Sequence, residues 1–450
     1  MPASESTPGD MNYEECLAYL DRLGNEVLTM KLGLETLRKV LRSLGDPQRR
    51  FPAILIAGTN GKGSVARFLS GILVGCGIRT GLYTSPHLLR PEERIVVDNE
   101  SISSIGFAKA LGQVVDTIRQ MGLVCHPTYF ETLTATAFFH FAAARVEIAV
   151  LEAGLGGRLD STNVIDPILS VLTPIGLDHQ NVLGNTLAEI AAEKAGIIHP
   201  GRPVVSSPQR RPAMEVLRSR AAARKCFFRQ VVGAEIQFCS SREGKYGFSY
   251  RGIQSCLRVF GRHQVENAVL AIEASEILRQ AGWPVHLAGM KEGLSSVLPW
   301  SVLQKVAEHP AVFVDGGHNP DAARCLAEFL HAHTQTPRTL VFGMMRDKDL
   351  DQVFGALSPC FERVFLTQID SPRAARLEQL RSVVPGGIPC AQPMEALRRA
   401  KRASRTVLVA GSFFLAGQVL KELAGVSHRL VGVNPEGMVS SSPGFPNPGR

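Results

Sequence analysis

No stretch of this chain is apolar for long enough to cross a bilayer. The best candidate, Ala135 to Leu151, is broken by His140, Arg145 and Glu147, whereas a spanning helix needs about 20 mostly apolar residues. The first dozen residues are polar and acidic and lack the basic start and apolar core of an export signal. The expectation is therefore a cytoplasmic protein with no membrane partner. Cysteine pairs are missing as well. Nine cysteines (Cys16, Cys76, Cys125, Cys226, Cys239, Cys256, Cys325, Cys360, Cys390) stand singly, with no C-x-x-C and no cysteine–histidine grouping at zinc spacing. They read as small buried hydrophobes in a reducing compartment. The formal charge is +8, and Arg210 to Lys225 and Arg398 to Arg405 are locally basic. Those stretches lack the interleaved aromatics on which bases stack, so nucleic acid is not an expected partner. A basic surface also suits small anionic substrates. No internal repeat or heptad is visible.

What remains is the composition of an ordinary globular protein, 45% hydrophobic and 20% charged, with room in 450 residues for two or three domains. Apolar strand-like runs alternate with helical patterns: Ala53 to Ala57, Val146 to Leu151, Ile168 to Leu172, Ala311 to Val314, Thr339 to Phe342, Val364 to Leu366 and Thr406 to Ala410. That alternation predicts an α/β architecture built on mostly parallel sheets. Between about Pro203 and Val259 the pieces are shorter and alternating, such as Glu235 to Phe238 and Tyr246 to Tyr250, which predicts an antiparallel subregion. A new strand and helix series starts after Leu298-Pro299. The expected division is a disordered stretch at 1–12, a first domain at 13–298, a second at 299–430, and a disordered Pro-, Gly- and Ser-rich tail at 431–450.

The most informative segment is Gly58-Thr59-Asn60-Gly61-Lys62-Gly63-Ser64. It follows the apolar run Ala53 to Ala57 and precedes Val65, Phe68, Leu69, Ile72 and Leu73 at helical spacing, with Gly77 as the stop. Strand, glycine turn and helix together make a phosphate cradle. Glycines let backbone N–H groups approach an anion, the helix N-terminus adds partial positive charge, Lys62 can reach terminal phosphates and Ser64 offers an oxygen. The spacing departs from G-x-x-x-x-G-K-[ST], because Ile56 takes the first glycine position and Gly63 separates Lys62 from Ser64.

Val146 to Leu151 runs into Glu152, and an acid at a strand's C-terminal end is placed either to hold a nucleotide-bound Mg²⁺ or to cap a turn. The next strand delivers Asp178 and His179 to the same edge. Thr186 and Glu189 form a capping-box start for a helix whose buried stripe is Leu187, Ile190, Ala191, Ile197 and Ile198. Lys194 falls on that stripe. It can snorkel outward, be paired, or be held neutral by desolvation, and the residues alone favour the first two. A neutral amine there could take up CO₂ as a carbamate and become an anion.

Together these segments closely resemble the folylpolyglutamate synthase and dihydrofolate synthase family, a branch of the Mur-type ATP-dependent amide ligases. The matching segments are Gly58 to Ser64, Thr84 to Leu88 with Glu93-Arg94-Ile95, Tyr129-Phe130-Glu131, Leu151 to Asn163, Leu177-Asp178-His179, Glu193 to Ile197, His263-Gln264 with Asn267-Ala268, Asp315 to Pro320, Asp347-Lys348-Asp349 and Gly411-Ser412. They run in family order from about residue 14 to residue 425.

The resemblance implies a Mur ligase-like ATPase domain of the P-loop type followed by a smaller Rossmann-like α/β domain. It implies that Gly58, Thr59, Asn60, Gly61, Lys62, Gly63 and Ser64 bind ATP phosphates, that Ser85 and Glu152 hold one Mg²⁺, and that His179 with a carbamylated Lys194 supports a second. Asn267, Asp315 and His318 look like adenosine-side contacts; Phe130 and Asp160 correspond to pterin-pocket positions, with Ser412 also on the substrate side. Lys62, Lys194 and His179 are the expected catalytic set, and Asp178 and His179 are candidates for removing the amine proton. The implied reaction joins L-glutamate to dihydropteroate and to folates through an acyl phosphate, in a monomer. The Arg158-Leu159-Asp160 form of the loop resembles the bifunctional bacterial members. Folate polyglutamylation alone, a Mur-type ligase on another carboxylate, and a nucleotide-responsive binding protein are the alternatives. One departure stands out: where the family has Pro-Gly-Arg at the start of the second domain, this chain reads Leu298-Pro299-Trp300-Ser301-Val302-Leu303-Gln304.

Overall fold

The computed structural model describes residues 11–24, 33–242, 245–298 and 302–426. Of the expected N-terminal stretch only Met11 and Asn12 fall within that range, and Asn12 caps the helix Tyr13–Arg22. The expected tail at 431–450 and the junction residues Pro299, Trp300 and Ser301 lie outside it.

The first sheet has eight strands: β1 (Ala53–Ala57), β2 (Thr80–Tyr83), β3 (Ile95–Val97), β4 (Glu100–Ser101), β5 (Ile148–Glu152), β6 (Leu169–Leu172), β7 (Val204–Ser206) and β8 (Phe228–Gln230). Their spatial order is β4-β3-β2-β5-β1-β6-β7-β8. All neighbours pair in parallel except β2 with β3 and β3 with β4. β1 is apolar throughout because both its faces are covered, as a central parallel strand requires. Its neighbours β5 and β6 bring Glu152 and the Thr173–His179 segment to the same C-terminal edge as the loop after β1, where open α/β sheets place ligands.

The antiparallel region is smaller than the sequence pattern predicts. It comprises β9 (Gln237–Arg242), β10 (Lys245–Tyr250) and β11 (Ile253–Phe260), while the stretch from Pro203 to Gln230 extends the parallel sheet through β7 and β8. Those strands are only three residues long, too short for their alternation to separate parallel from antiparallel pairing. Glu235 ends a 3₁₀ turn rather than opening a strand.

The helix Lys62–Gly75, which starts at the glycine turn, packs on Leu287–Ser296 at backbone contact distance. A Cβ on Gly293 would lie 2.2 Å from the Gly71 carbonyl oxygen, and one on Gly75 would lie 2.5 Å from that of Gly289. Only hydrogens fit between these backbones.

The remaining strands are β12 (Gln304–Glu308), β13 (Ala311–Val314), β14 (Arg338–Phe342), β15 (Arg363–Thr367), β16 (Ile388–Cys390) and β17 (Thr406–Ala410). They form a six-stranded sheet, β12-β13-β17-β14-β15-β16, parallel but for the β12 edge. Phe260, the last residue of β11, is buried in the core of this second sheet, edge-on to Phe313 at 5.7 Å and Phe329 at 5.9 Å. Two α/β layers therefore share one aromatic joint, and the fold class is the one expected. Among the described residues, no helix is long and apolar enough to cross a membrane.

Candidate active site

A cavity of about 730 Å³ opens between the two sheets. Gly58 through Ser64, Ser85, Phe130, Glu152, Asp160, His179, Lys194, Asn267, Asp315, His318 and Ser412 all line it. Every side chain singled out in the sequence thus borders one space, although residues as far apart as Gly58 and Ser412 contribute.

The glycine turn is held through both its backbone and its own side chains. Thr59 N and Asn60 N both donate to the carbonyl of Pro174, at 2.9 and 3.2 Å, and the Thr59 hydroxyl bonds to Gly176. Gly61 has φ of 80° and precedes the helix; a Cβ there would meet Asn267 Oδ1 at 2.4 Å. Lys62 is the first helical residue, and among the described residues its Nζ makes only a 3.3 Å bond, to Thr59 O, leaving it able to turn towards an anion.

Glu152 is buried at the end of β5, where Ser85 N donates to its Oε2 at 3.1 Å. Burial raises its carboxyl above the ordinary range, against the opposing pull of Lys62, the Ser85 amide and Arg67. A carboxylate starved of solvent beside a helix N-terminus fits a divalent cation. Among the described residues, no cluster of three His, Cys, Asp or Glu side chains could enclose a metal. An ion held by Glu152 and Ser85 would therefore complete its shell with water and substrate phosphate, as Mg²⁺ commonly does.

Lys194 departs from the favoured expectation. It neither snorkels nor pairs: it is 4% exposed, donates to Gly58 O at 2.6 Å, and has no carboxylate within ion-pair distance among the described residues. Its helix, Leu187–Lys194, is opened by the expected Thr186–Glu189 capping box and ends at the lysine itself. Burial, reinforced by the charge of Lys62, lowers its amine to about 7. Desolvation prevails because the acids that oppose it, Asp178 and Asp160, act only through space.

The two layers meet at Asp178. Its Oδ1 accepts from Lys348 Nζ at 2.6 Å, and its Oδ2 lies 3.6 Å from His318 Nε2 and 3.4 Å from Asn319 Nδ2. Burial alone would raise this carboxyl, but the bond and charge of His318, with Lys348 and His179, hold it well below its usual range. His179 is driven by burial to about 3, so its imidazole is neutral, and its Nε2 faces Lys348 Nζ at 3.1 Å. Asn319 caps the helix Pro320–His333 and also donates to Asn60 Oδ1 at 2.8 Å, fastening the second layer to the glycine turn.

Other expected contacts are partly committed to the protein itself. Asp160 accepts from Leu155 N, Thr162 N and Thr162 Oγ1. Asp315 accepts from Leu303 N at 2.7 Å and Gly317 N at 2.6 Å; burial still raises it to about 6. The Ser412 hydroxyl accepts from Phe414 N at the start of the last helix. Asn267 bonds Gln264 under Gly61. His318 donates from Nδ1 to Gly316 O at 2.9 Å and stands edge-on to Phe413. Phe130 lies over Gly154, whose Cβ would sit 2.6 Å from the ring, and next to Tyr83 at 5.9 Å. The sequence reading assigned no role to Lys348, Asn319, Arg67, Arg210 or Arg373, all of which line the cavity. The first two sat in quoted motifs; Arg210 opened a locally basic stretch, and Arg67 and Arg373 carried no local signal.

Residues 56–275 match the Mur ligase middle domain, and residues 301–413 match the Mur ligase glutamate ligase domain. The chain is 32% identical over 411 residues to a dihydrofolate synthase/folylpolyglutamate synthase of Bacillus subtilis (strain 168), covering 88% of this chain and 95% of that one. It is 38% identical over 368 residues to a Mycobacterium tuberculosis protein of the same description, covering 75% and 74%. Among solved structures, Escherichia coli FolC in complex with DHPP and ADP superposes with a TM-score of 0.83 at 30% identity, covering 94% of this chain and all (100%) of that one. A bifunctional folylpolyglutamate synthase/dihydrofolate synthase with Mn, AMPPNP and L-glutamate bound gives 0.80 at 28% identity, over 93% and 100%.

Proposed function

This chain belongs to the dihydrofolate synthase/folylpolyglutamate synthase family of Mur ligases, and from that footing we propose how its own residues divide the work and that dihydropteroate is among its substrates. The enzyme is an ATP-dependent ligase that adds glutamate to folates. The observation carrying the finer reading is that the glycine turn, Glu152 and Phe130 share one cavity with Asp315 and His318 from the other layer.

A carboxylate is a poor electrophile at neutral pH and must be activated. Its oxygen attacks the γ-phosphorus of ATP, ADP leaves, and the resulting acyl phosphate is attacked by the glutamate amine with release of phosphate. Turn amides and the N-terminus of the helix Lys62–Gly75 bind the phosphates, and Lys62 neutralises charge on the transferring group. Glu152 and Ser85 would hold a Mg²⁺, which supplies Lewis-acid charge neutralisation when bound. Phe130, backed by Tyr83, offers an aromatic face to a pterin ring. Asp160 shapes that wall by tying down its loop. Asp315 and His318, with Asn267, border the adenosine side, and Ser412 the glutamate side. We assign proton removal to neither Asp178 nor His179, because Lys348 contacts both. His179 could serve a second ion only once Lys348 withdraws.

The amine of Lys194, partly neutral near pH 7, is suited to attack CO₂ and lose a proton, giving a carbamate. A ¹³C carbamate resonance under labelled bicarbonate, lost in Lys194→Met, is the expected sign. We further propose domains at 13–298 and 299–430, supported by their separate sheets, and a monomer working in the cytoplasm, where a sequence without C-x-x-C pairs suits a reducing medium.

Phosphate release with ATP, Mg²⁺ and glutamate tests the substrate assignment. Release is expected with dihydropteroate and with tetrahydrofolate; release with tetrahydrofolate alone removes the dihydropteroate reaction.

A further inference from the structure

Between Leu298 and Gln304, where the chain enters the second domain, the sequence offers no cationic side chain to the cavity. The structure brings one in from the other direction. Arg210 lines the cavity and reaches from the first domain to Asp321 of the second, with a guanidinium nitrogen 2.8 Å from Asp321 Oδ1.

The backbone beneath Arg210 is fixed to the phosphate turn. Gln209 donates to Thr173 O and accepts from Ile175 N, both at 2.9 Å. That same short segment, Thr173 to Gly176, supplies the Pro174 carbonyl that anchors Thr59 N and Asn60 N. Gly176 in turn sits between the two partners. A Cβ on it would lie 2.2 Å from Asp321 Oδ2 and 3.9 Å from Thr59 Cγ2. The root of Arg210 is thus registered against the turn through side-chain and backbone bonds, and only its long side chain is free to move.

Its partner can release it at little cost. The side chains are 52% and 29% exposed, so neither charge is trapped in a dry interior, and Asp321 is also paired with Arg324 three residues on. An exposed pair of this kind contributes little to stability. A guanidinium bonded to phosphate, in contrast, makes charge-assisted and often bidentate bonds.

We propose that Arg210 is a phosphate-binding residue of this enzyme, exchanging Asp321 for the nucleotide's phosphate chain when ATP occupies the cavity. This rests on the phosphate role of the glycine turn set out above. Asp321, still neutralised by Arg324, is the resting partner that holds Arg210 at the cavity rim.

Equilibrium titration with AMPPNP and with adenosine tests this on the full chain. Arg210→Met is expected to raise the Kd for AMPPNP roughly tenfold or more, to leave adenosine within about twofold, and to be partly rescued in Arg210→Lys. Asp321→Asn frees Arg210 and should leave AMPPNP binding equal or tighter. Equal weakening by Arg210→Met and Asp321→Asn would make the pair a simple interdomain latch and overturn the proposal. So would an unchanged AMPPNP affinity in Arg210→Met, or equal weakening of adenosine. Lys62→Ala separates the two levels. If it abolishes AMPPNP binding while Arg210→Met does not, only the Arg210 assignment fails; if Lys62→Ala has no effect, the phosphate turn itself is misread.

Discussion

The Nζ of Lys194 lies 2.6 Å from the carbonyl oxygen of Gly58, the first residue of the glycine turn, and among the described residues no acid pairs with it to share the charge. A desolvated amine and a loop anchor therefore coincide in one side chain. Its environment leads to the first prediction. Lys194 is held at about 7 in the folded protein, below its ordinary value of 10.5. Between those values the unfolded chain binds more protons, so stability rises with pH there, and below about 7 the full cost of the buried charge is present. Lys194→Met should be more stable than the parent at pH 6, by on the order of a few kcal/mol, with the gap closing towards pH 10. Urea unfolding at several pH values measures it; a pH-independent gap contradicts a desolvated amine.

Gly293→Ala tests the close helix contact. The added methyl would sit 2.2 Å from Gly71 O, a position no rotamer can relieve. The loss should be about 1–3 kcal/mol, as for other overpacked sites. Thermal unfolding without ligands reads it, and because Gly71 lies on the phosphate-binding helix, nucleotide affinity should fall with it.

Asp178 and Lys348 are 10% and 8% exposed and belong to different layers. A double-mutant cycle of Asp178→Asn and Lys348→Met should give a coupling of about 1–3 kcal/mol in unfolding free energy. Because Asp178 is held below its usual range, its contribution is present above about 4, the unfolded carboxylate value, and is lost as pH falls. Zero coupling at pH 7 would show that the two layers do not depend on this bridge.

Phe130→Leu should raise KM for the pterin substrate roughly tenfold while KM for ATP moves little, since the ring packs on Gly154 and Tyr83 rather than on the glycine turn. Initial rates with each substrate varied in turn distinguish this from general damage, which would raise both.

Lys62→Ala should reduce turnover by at least about a hundredfold without lowering the unfolding midpoint, because among the described residues its Nζ makes only one long bond, to Thr59 O. A retained turnover would remove the phosphate role.

Much of this was legible in order along the chain. The apolar run Ala53–Ala57, the glycines after it and the helical stripe from Val65 are local patterns, and local patterns survive folding unchanged. Glu152 could be placed at a strand end because the run before it is apolar through both faces. The short strands β7 and β8 escaped because three residues carry too little periodicity to separate pairing types. The fate of individual carboxylates escaped too: Asp160 and Asp315 look alike in sequence to any free acid, yet Asp160 is taken up by backbone amides of its own loop, and Asp315 by Gly317 N beside it and Leu303 N from before β12.

By itself, then, the sequence determined the α/β alternation and the glycine turn between strand and helix, since each depends on neighbours within a few positions. Only the tertiary structure decided that Lys194 would be buried against Gly58, that Lys348 would meet Asp178 from 170 residues away, and that Arg210 would face Asp321. Those pairings depend on strand order and on how the second layer sits over the first. Desolvation and charge at a point in space are set by everything packed around it.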